Sequence, residues 1–128
     1  MKIVRIISAV LLALPLLVFG GNYFLHLFAL PPGDGSAGDQ LLQAMRDGGL
    51  MKAVAFSHVV VGLLLLIPRT RFLGGLLQLP VSIGIVAFHA TMLPAGLVTA
   101  IPILLLNLGA IADWPRLQSL VSEPSKTG

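Results

Sequence analysis

The chain has 128 residues, of which 56% are hydrophobic and only 10% charged, and its mean hydropathy is +0.97. An ordinary soluble domain carries roughly 25% charged residues, and a chain this short has too much surface per volume to hide so much apolar side chain from water. These figures exclude a soluble globular enzyme and a disordered tail, and they leave a single-domain integral membrane protein. The net charge of +3 comes from eight Lys and Arg scattered in ones and twos against five acids. With no basic stripe, they read as topology signals and not as a nucleic-acid surface. The absence of cysteine removes disulfides, thiolate ligands and electron transfer through a thiol pair.

A spanning helix needs about 20 mostly apolar residues. Four segments qualify: 3–30, 50–67, 72–93 and 97–111. The first contains Pro15 and the pair Gly20-Gly21, and Pro68 closes the second. Pro80 lies inside the third, Pro94 just beyond it, and Pro102 in the early turns of the fourth. Proline is tolerated in a spanning helix where neighbours satisfy the freed carbonyl. Residues 3–115 thus form one all-α membrane domain, a four-transmembrane-helix bundle. Trp114 is an interfacial anchor, and residues 116–128 form a polar cytoplasmic tail, frayed from Gln118 onward.

The only long connection runs from Pro31 to Gly49. It opens with the turn-rich Pro31-Pro32-Gly33-Asp34-Gly35-Ser36. Residues 38–46 then read as a short helix on the membrane surface, with Leu41, Leu42 and Met45 on one face. Arg69-Thr70-Arg71 is a tight charged turn. With four spans, Lys2, Arg5, Arg69, Arg71, Arg116 and Lys126 fall on one side, and only Arg46 and Lys52 on the other. The positive-inside rule then places both termini in the cytoplasm. The first segment starts like a secretory signal, but its apolar run is long, lacks a small-x-small cleavage site and continues into Asn22 and His26, so it reads as a retained span.

Ionisable residues inside a bilayer are costly and mark functional sites by default. Here they are three histidines, His26, His58 and His89, on three different segments. The orientation above puts all three in the outer half of the membrane. Helical spacing places Ser8, Pro15, Asn22 and His26 on one face of the first segment, with Phe19 in the same stripe. Gln78, Ser82 and His89 share a face on the third, and His58 and Gly62 on the second. Asn107 lies toward the inner end as a separate contact. The stripes predict a small polar pocket at the outer end of the bundle. Three uses of it stay open. The imidazoles and Asn22 hydrogen-bond across helices and set the packing. Alternatively, His26 or His89 donates to a carbonyl of a quinone-like ring lined by Phe19, Tyr23 and Phe88. In the third case His26, His58 and His89 hold a metal or haem, although no carboxylate on these segments is placed to orient them. No phosphate loop, nucleophile elbow or H-E-x-x-H motif is present.

The stretch Phe19-Gly20-Gly21-Asn22-Tyr23-Phe24-Leu25-His26, the run from Gly62 to Arg69 and the segment from Pro80 to Gly96, with Phe88-His89 and Pro94-Ala95-Gly96, resemble the DoxX-like family over residues 3–115. The resemblance implies a small four-helix protein of the bacterial inner membrane, multi-pass, some of whose relatives serve thiosulfate:quinone oxidoreduction or oxidative-stress complexes. The ligand expected from the pocket is a quinone, and since the chain has no evident redox centre of its own, an oxidoreductase partner would supply the electrons. Relatives often carry a glutamate on the second helix where this chain has His58. The function expected is a membrane subunit of a quinone-linked redox system, with His26, His89, His58, Asn22, Tyr23 and Phe88 around the ligand. The alternative is a non-catalytic assembly factor or small-solute carrier.

Overall fold

The computed structural model describes residues 2–122, and these are mostly helical with no strand among them. The helices are α1 (Lys2–Leu25), α2 (Ala37–Asp47), α3 (Leu50–Leu66), α4 (Arg71–Thr91), α5 (Leu97–Ala110) and α6 (Trp114–Val121), with a 3-10 turn at Pro94–Gly96 before α5. Two of them, α1 and α4, are long and apolar enough to cross a membrane alone; the count rises to four if the bent pairs α2–α3 and α5–α6 each form one span. Both pairs bend by 84°.

Four helices pack in a ring in which α1 touches α3 and α5, while α4 touches α5 and α3. The centre is a stripe on α1, Ala9, Leu12, Ala13 and Leu16, whose spacing of three and four residues keeps it on one face. Val61 and Leu65 of α3 and Ala110 of α5 close on it. Small residues set the approach of the helices. At Gly20 a Cβ would lie 2.9 Å from the Ala55 carbonyl oxygen, and at Gly62 one would lie 2.6 Å from Leu17 Cγ. Large apolar side chains point outward all around the ring: Leu11, Leu14 and Val18 on α1, Phe56 and Leu63 on α3, Leu73 and Leu77 on α4, Ile101 and Leu105 on α5. An exterior this apolar on every helix suits lipid and not water.

The polar interior follows the same logic. Gln78, Ser82 and Asn107 are fully buried. Ser82 Oγ donates to Asn107 Oδ1 at 2.7 Å, and Asn107 Nδ2 donates to the Gly75 carbonyl at 2.8 Å. Asn107 is therefore the link between α5 and α4 that joins the Gln78/Ser82 face, not a contact apart from it.

The helix ends explain where the boundaries depart from the apolar runs. The first helix stops at Leu25, not at residue 30. Asn22 Oδ1 accepts from the Phe28 amide at 2.9 Å and its Nδ2 donates to the Phe28 carbonyl at 3.0 Å. His26 takes the left-handed conformation at φ 50°, which ends the α-helix although the chain stays apolar. Ser36 caps α2 by accepting from the Asp39 amide at 3.2 Å. Gly49 at φ 83° makes the sharp corner into α3. Pro68 ends α3 by keeping Ile67 extended.

The stretch expected to fray from Gln118 is helical to Val121, because Asp113 accepts from the Arg116 amide at 3.3 Å and Pro115 opens the first turn of α6. The rest of that tail, residues 123–128, lies outside the described residues, as does the Lys126 used to orient the chain.

Candidate functional site

At the end where α1 stops, α2 folds back over the bundle. Its start rests on the α4–α5 turn: Gly38 is buried, and a Cβ there would lie 2.6 Å from Leu93 Cγ. Its body reaches α3 and leaves a cavity of about 240 Å³ beneath it. From α1 the cavity receives Phe19, Gly20, Asn22 and Tyr23; Leu30 comes from the following loop. Leu42 and Arg46, one helical turn apart on α2, form a second side. Met51, Val54, Ala55 and His58 of α3 form the third. Most of these side chains are apolar.

His58 is the exception that defines the site. It is half-buried, opposite the backbone of Gly20, where a Cβ would come 3.1 Å from His58 Cβ. Its Nε2 is buried without a hydrogen-bond partner among the described residues. A buried polar atom left unpaired costs about 1–3 kcal/mol, so a small turn of the His58 ring toward the cavity it lines would let a ligand's polar group relieve that cost. Nearby Asn22 uses both ends of its amide on Phe28, and Phe28 meets Phe19 edge to face with centroids 5.9 Å apart. Asn22 therefore shapes the wall by pinning the chain after α1.

The other histidines lie elsewhere. His26 is exposed, beyond the end of α1, and does not line the cavity. His89 turns onto the α4–α5 connection: its ring packs on Gly96, and its Nδ1 lies 3.1 Å from the Leu93 carbonyl oxygen. That contact requires a proton on Nδ1 and makes His89 a closing bond at the end of α4. Phe88 meets the His89 ring at 5.1 Å and also stays outside the cavity.

Of the six residues expected around one ligand, the structure thus brings together Asn22, Tyr23 and His58, and leaves out His26, His89 and Phe88. The expected meeting of three imidazoles does not occur, because α1 ends one residue before His26 and the α4–α5 turn claims His89. Correspondingly, no group of three His, Cys, Asp or Glu among the described residues is placed to hold a metal ion. The residue that sequence reading missed is Arg46. Its spacing of four from Leu42, on the face toward the bundle, was the available signal; the fold-back of α2 that aims this face was not visible.

No protein-family model, no curated protein and no solved structure matches the chain.

Proposed function

We propose that this chain is a four-span protein of the bacterial inner membrane, of the DoxX-like type, with both termini cytoplasmic, and that the cavity under α2 holds the ring of a lipid-soluble quinone. In this reading α1, α3, α4 and α5 each cross the bilayer, and α2 lies on the outer surface with its charged residues in the headgroups. α3 is about 25 Å long at 1.5 Å per residue, short of the roughly 30 Å hydrocarbon core, so local thinning or flanking side chains make up the difference. The cations Lys2, Arg5, Arg69, Arg71 and Arg116 gather at the opposite end, which the positive-inside rule assigns to the cytoplasm.

The observation that carries the ligand is His58, which lines the cavity and whose Nε2 is buried without a partner among the described residues. A cavity of about 240 Å³ exceeds the ~150 Å³ that already admits benzene, so a substituted six-membered ring fits. His58 Nε2–H would donate to one carbonyl oxygen, Arg46 brings a second donor to the α2 side, and Phe19 and Tyr23 supply aromatic surface. The electrons would come from an oxidoreductase partner. The alternative, an assembly factor or solute carrier, draws its support from another place. Gln78 Oε1 is buried without a partner beside a groove of about 330 Å³ between α3 and α4, which Ser57 also lines.

Purification in mild detergent followed by solvent extraction separates these readings. The wild-type chain is expected to retain quinone, and His58→Leu to weaken retention about tenfold, the loss of one buried hydrogen bond. His26→Ala and His89→Ala are expected to retain it. Full retention by His58→Leu, or no quinone bound by the wild type even when added, would remove the quinone reading.

A further inference from the structure

The end of the bundle opposite α2 gathers the starts of α1, α4 and α6 and the end of α5. Between them lies a second pocket of about 220 Å³. Apolar side chains, among them Ile6 and Phe72, form part of its lining; Lys2, Arg5, Arg71 and Arg116 bring four cations to it, and Asp113 one carboxylate.

Three of these cations are held in place. Arg5 Nη1 donates to Asp113 Oδ2 at 2.9 Å. Arg71 Nε donates to the Leu65 carbonyl at 2.9 Å and its Nη2 to that of Leu66 at 3.3 Å, which closes the end of α3. The Arg116 guanidinium lies over the Phe72 ring, 4.8 Å from its centroid. A carbonyl or an aromatic face restrains a guanidinium without neutralising it, so among the described residues only Arg5 meets an opposite charge. Four cations against one carboxylate leave a formal charge of +3 on the pocket. The N-terminal ends of α1 and α4 meet the C-terminal ends of α3 and α5 here, so the helix dipoles largely offset and the side-chain charges set the field. Charges of one sign held this close repel one another, and a bound anion relieves that repulsion. Restrained guanidinium groups suit phosphate oxygens, which they take two at a time with little further loss of side-chain freedom.

We propose that this pocket binds a phosphate-bearing anion. Two sources share that chemistry, the headgroup of an anionic phospholipid and free phosphate. The site is independent of whatever fills the cavity under α2.

The test titrates the full chain in detergent with phosphatidylglycerol and, separately, with phosphatidylcholine, and counts bound lipid by native mass spectrometry. A parallel arm adds inorganic phosphate and follows phosphorus NMR line widths. Preference for phosphatidylglycerol, unaffected by phosphate, assigns the pocket to lipid. Saturable phosphate binding without a lipid preference assigns it to the free ion. In either case Arg116→Gln and Lys2→Gln are each expected to weaken binding about five-fold. Arg69→Gln removes the same charge at the same end but outside the pocket lining, and is expected to leave binding unchanged. Thermal unfolding in the same detergent checks that each variant is folded. The proposal is overturned if neither anion binds selectively, or if Arg69→Gln weakens binding as much as Arg116→Gln, which would mean diffuse surface charge and no pocket.

Discussion

The two ends of this bundle solve opposite problems. At the α2 end a histidine lines a mostly apolar cavity, and its Nε2 is buried with no hydrogen-bond partner among the described residues. At the other end, positive charge is concentrated on a few side chains that are already tied down by carbonyls, a ring and one carboxylate. The first end lacks a polar partner for a neutral ring; the second has surplus charge for an anion. The four helices between them are much the same apolar material. The chemistry of each end is therefore set by how the helices stop and by what folds over them.

Three tests break or sharpen that contrast. The largest effect is expected at Gly20, which lets α1 approach α3 beside the cavity. In Gly20→Ala the new methyl meets the Ala55 backbone oxygen at 2.9 Å, and a backbone atom does not swing away. Unfolding should become easier by about 1–3 kcal/mol, and the cavity should change shape with it. Gly21→Ala meets nothing within 4 Å and, inside a helix, should leave stability intact or raise it by up to about 1 kcal/mol. Equal melting temperatures for the two variants would mean that the α1–α3 approach is looser than described.

A smaller loss is expected at the basic end. The Arg5–Asp113 pair is partly exposed, with side chains 28% and 21% accessible. Exposed pairs contribute about 0.2–1 kcal/mol, less in high salt. A double-mutant cycle with Arg5→Gln and Asp113→Asn should give a coupling in that range that shrinks as salt is added. Coupling that ignores salt would place the pair in a far drier setting.

The smallest effect concerns acid. The Ser36 hydroxyl and then its amide, beside Asp34, hold that carboxyl below the usual carboxylate range. A carboxyl whose folded pKa is depressed contributes stability above its unfolded pKa, and the contribution is lost as pH falls through the lower, folded value. Acidification below the ordinary carboxylate range should therefore loosen the start of α2 before the helical ring. Hydrogen exchange at the Ser36 and Asp39 amides, followed against pH, reports it. Earlier loss of protection in α1 would reverse the expected order.

Much of the fold could be read from the residues. The short helix expected at 38–46 forms at 37–47, since Ser36 and the Gly48-Gly49 pair bracket it with cap chemistry. The core stripe of α1 follows from helical period. The site was legible only in part. Asn22 and Tyr23 line the cavity because they lie on the regular part of α1, where helical period sets their direction. His26 was misplaced because the signal for the end of α1 is a side chain reaching six residues ahead, which no apolar count reveals. His89 was misplaced because Gly96, beyond a turn, offers the space its ring occupies.

Composition and periodicity alone determined that the chain is helical, apolar on its outside and cationic at one end, since these are sums over residues or repeats within one helix. Tertiary structure decided which polar residues share a pocket: His58 and Arg46 line one, and Arg5, Arg71 and Arg116 another. The physical reason is that a helix sets the direction of each side chain about its own axis, whereas the partner it faces depends on where helices end and how the connections fold across them.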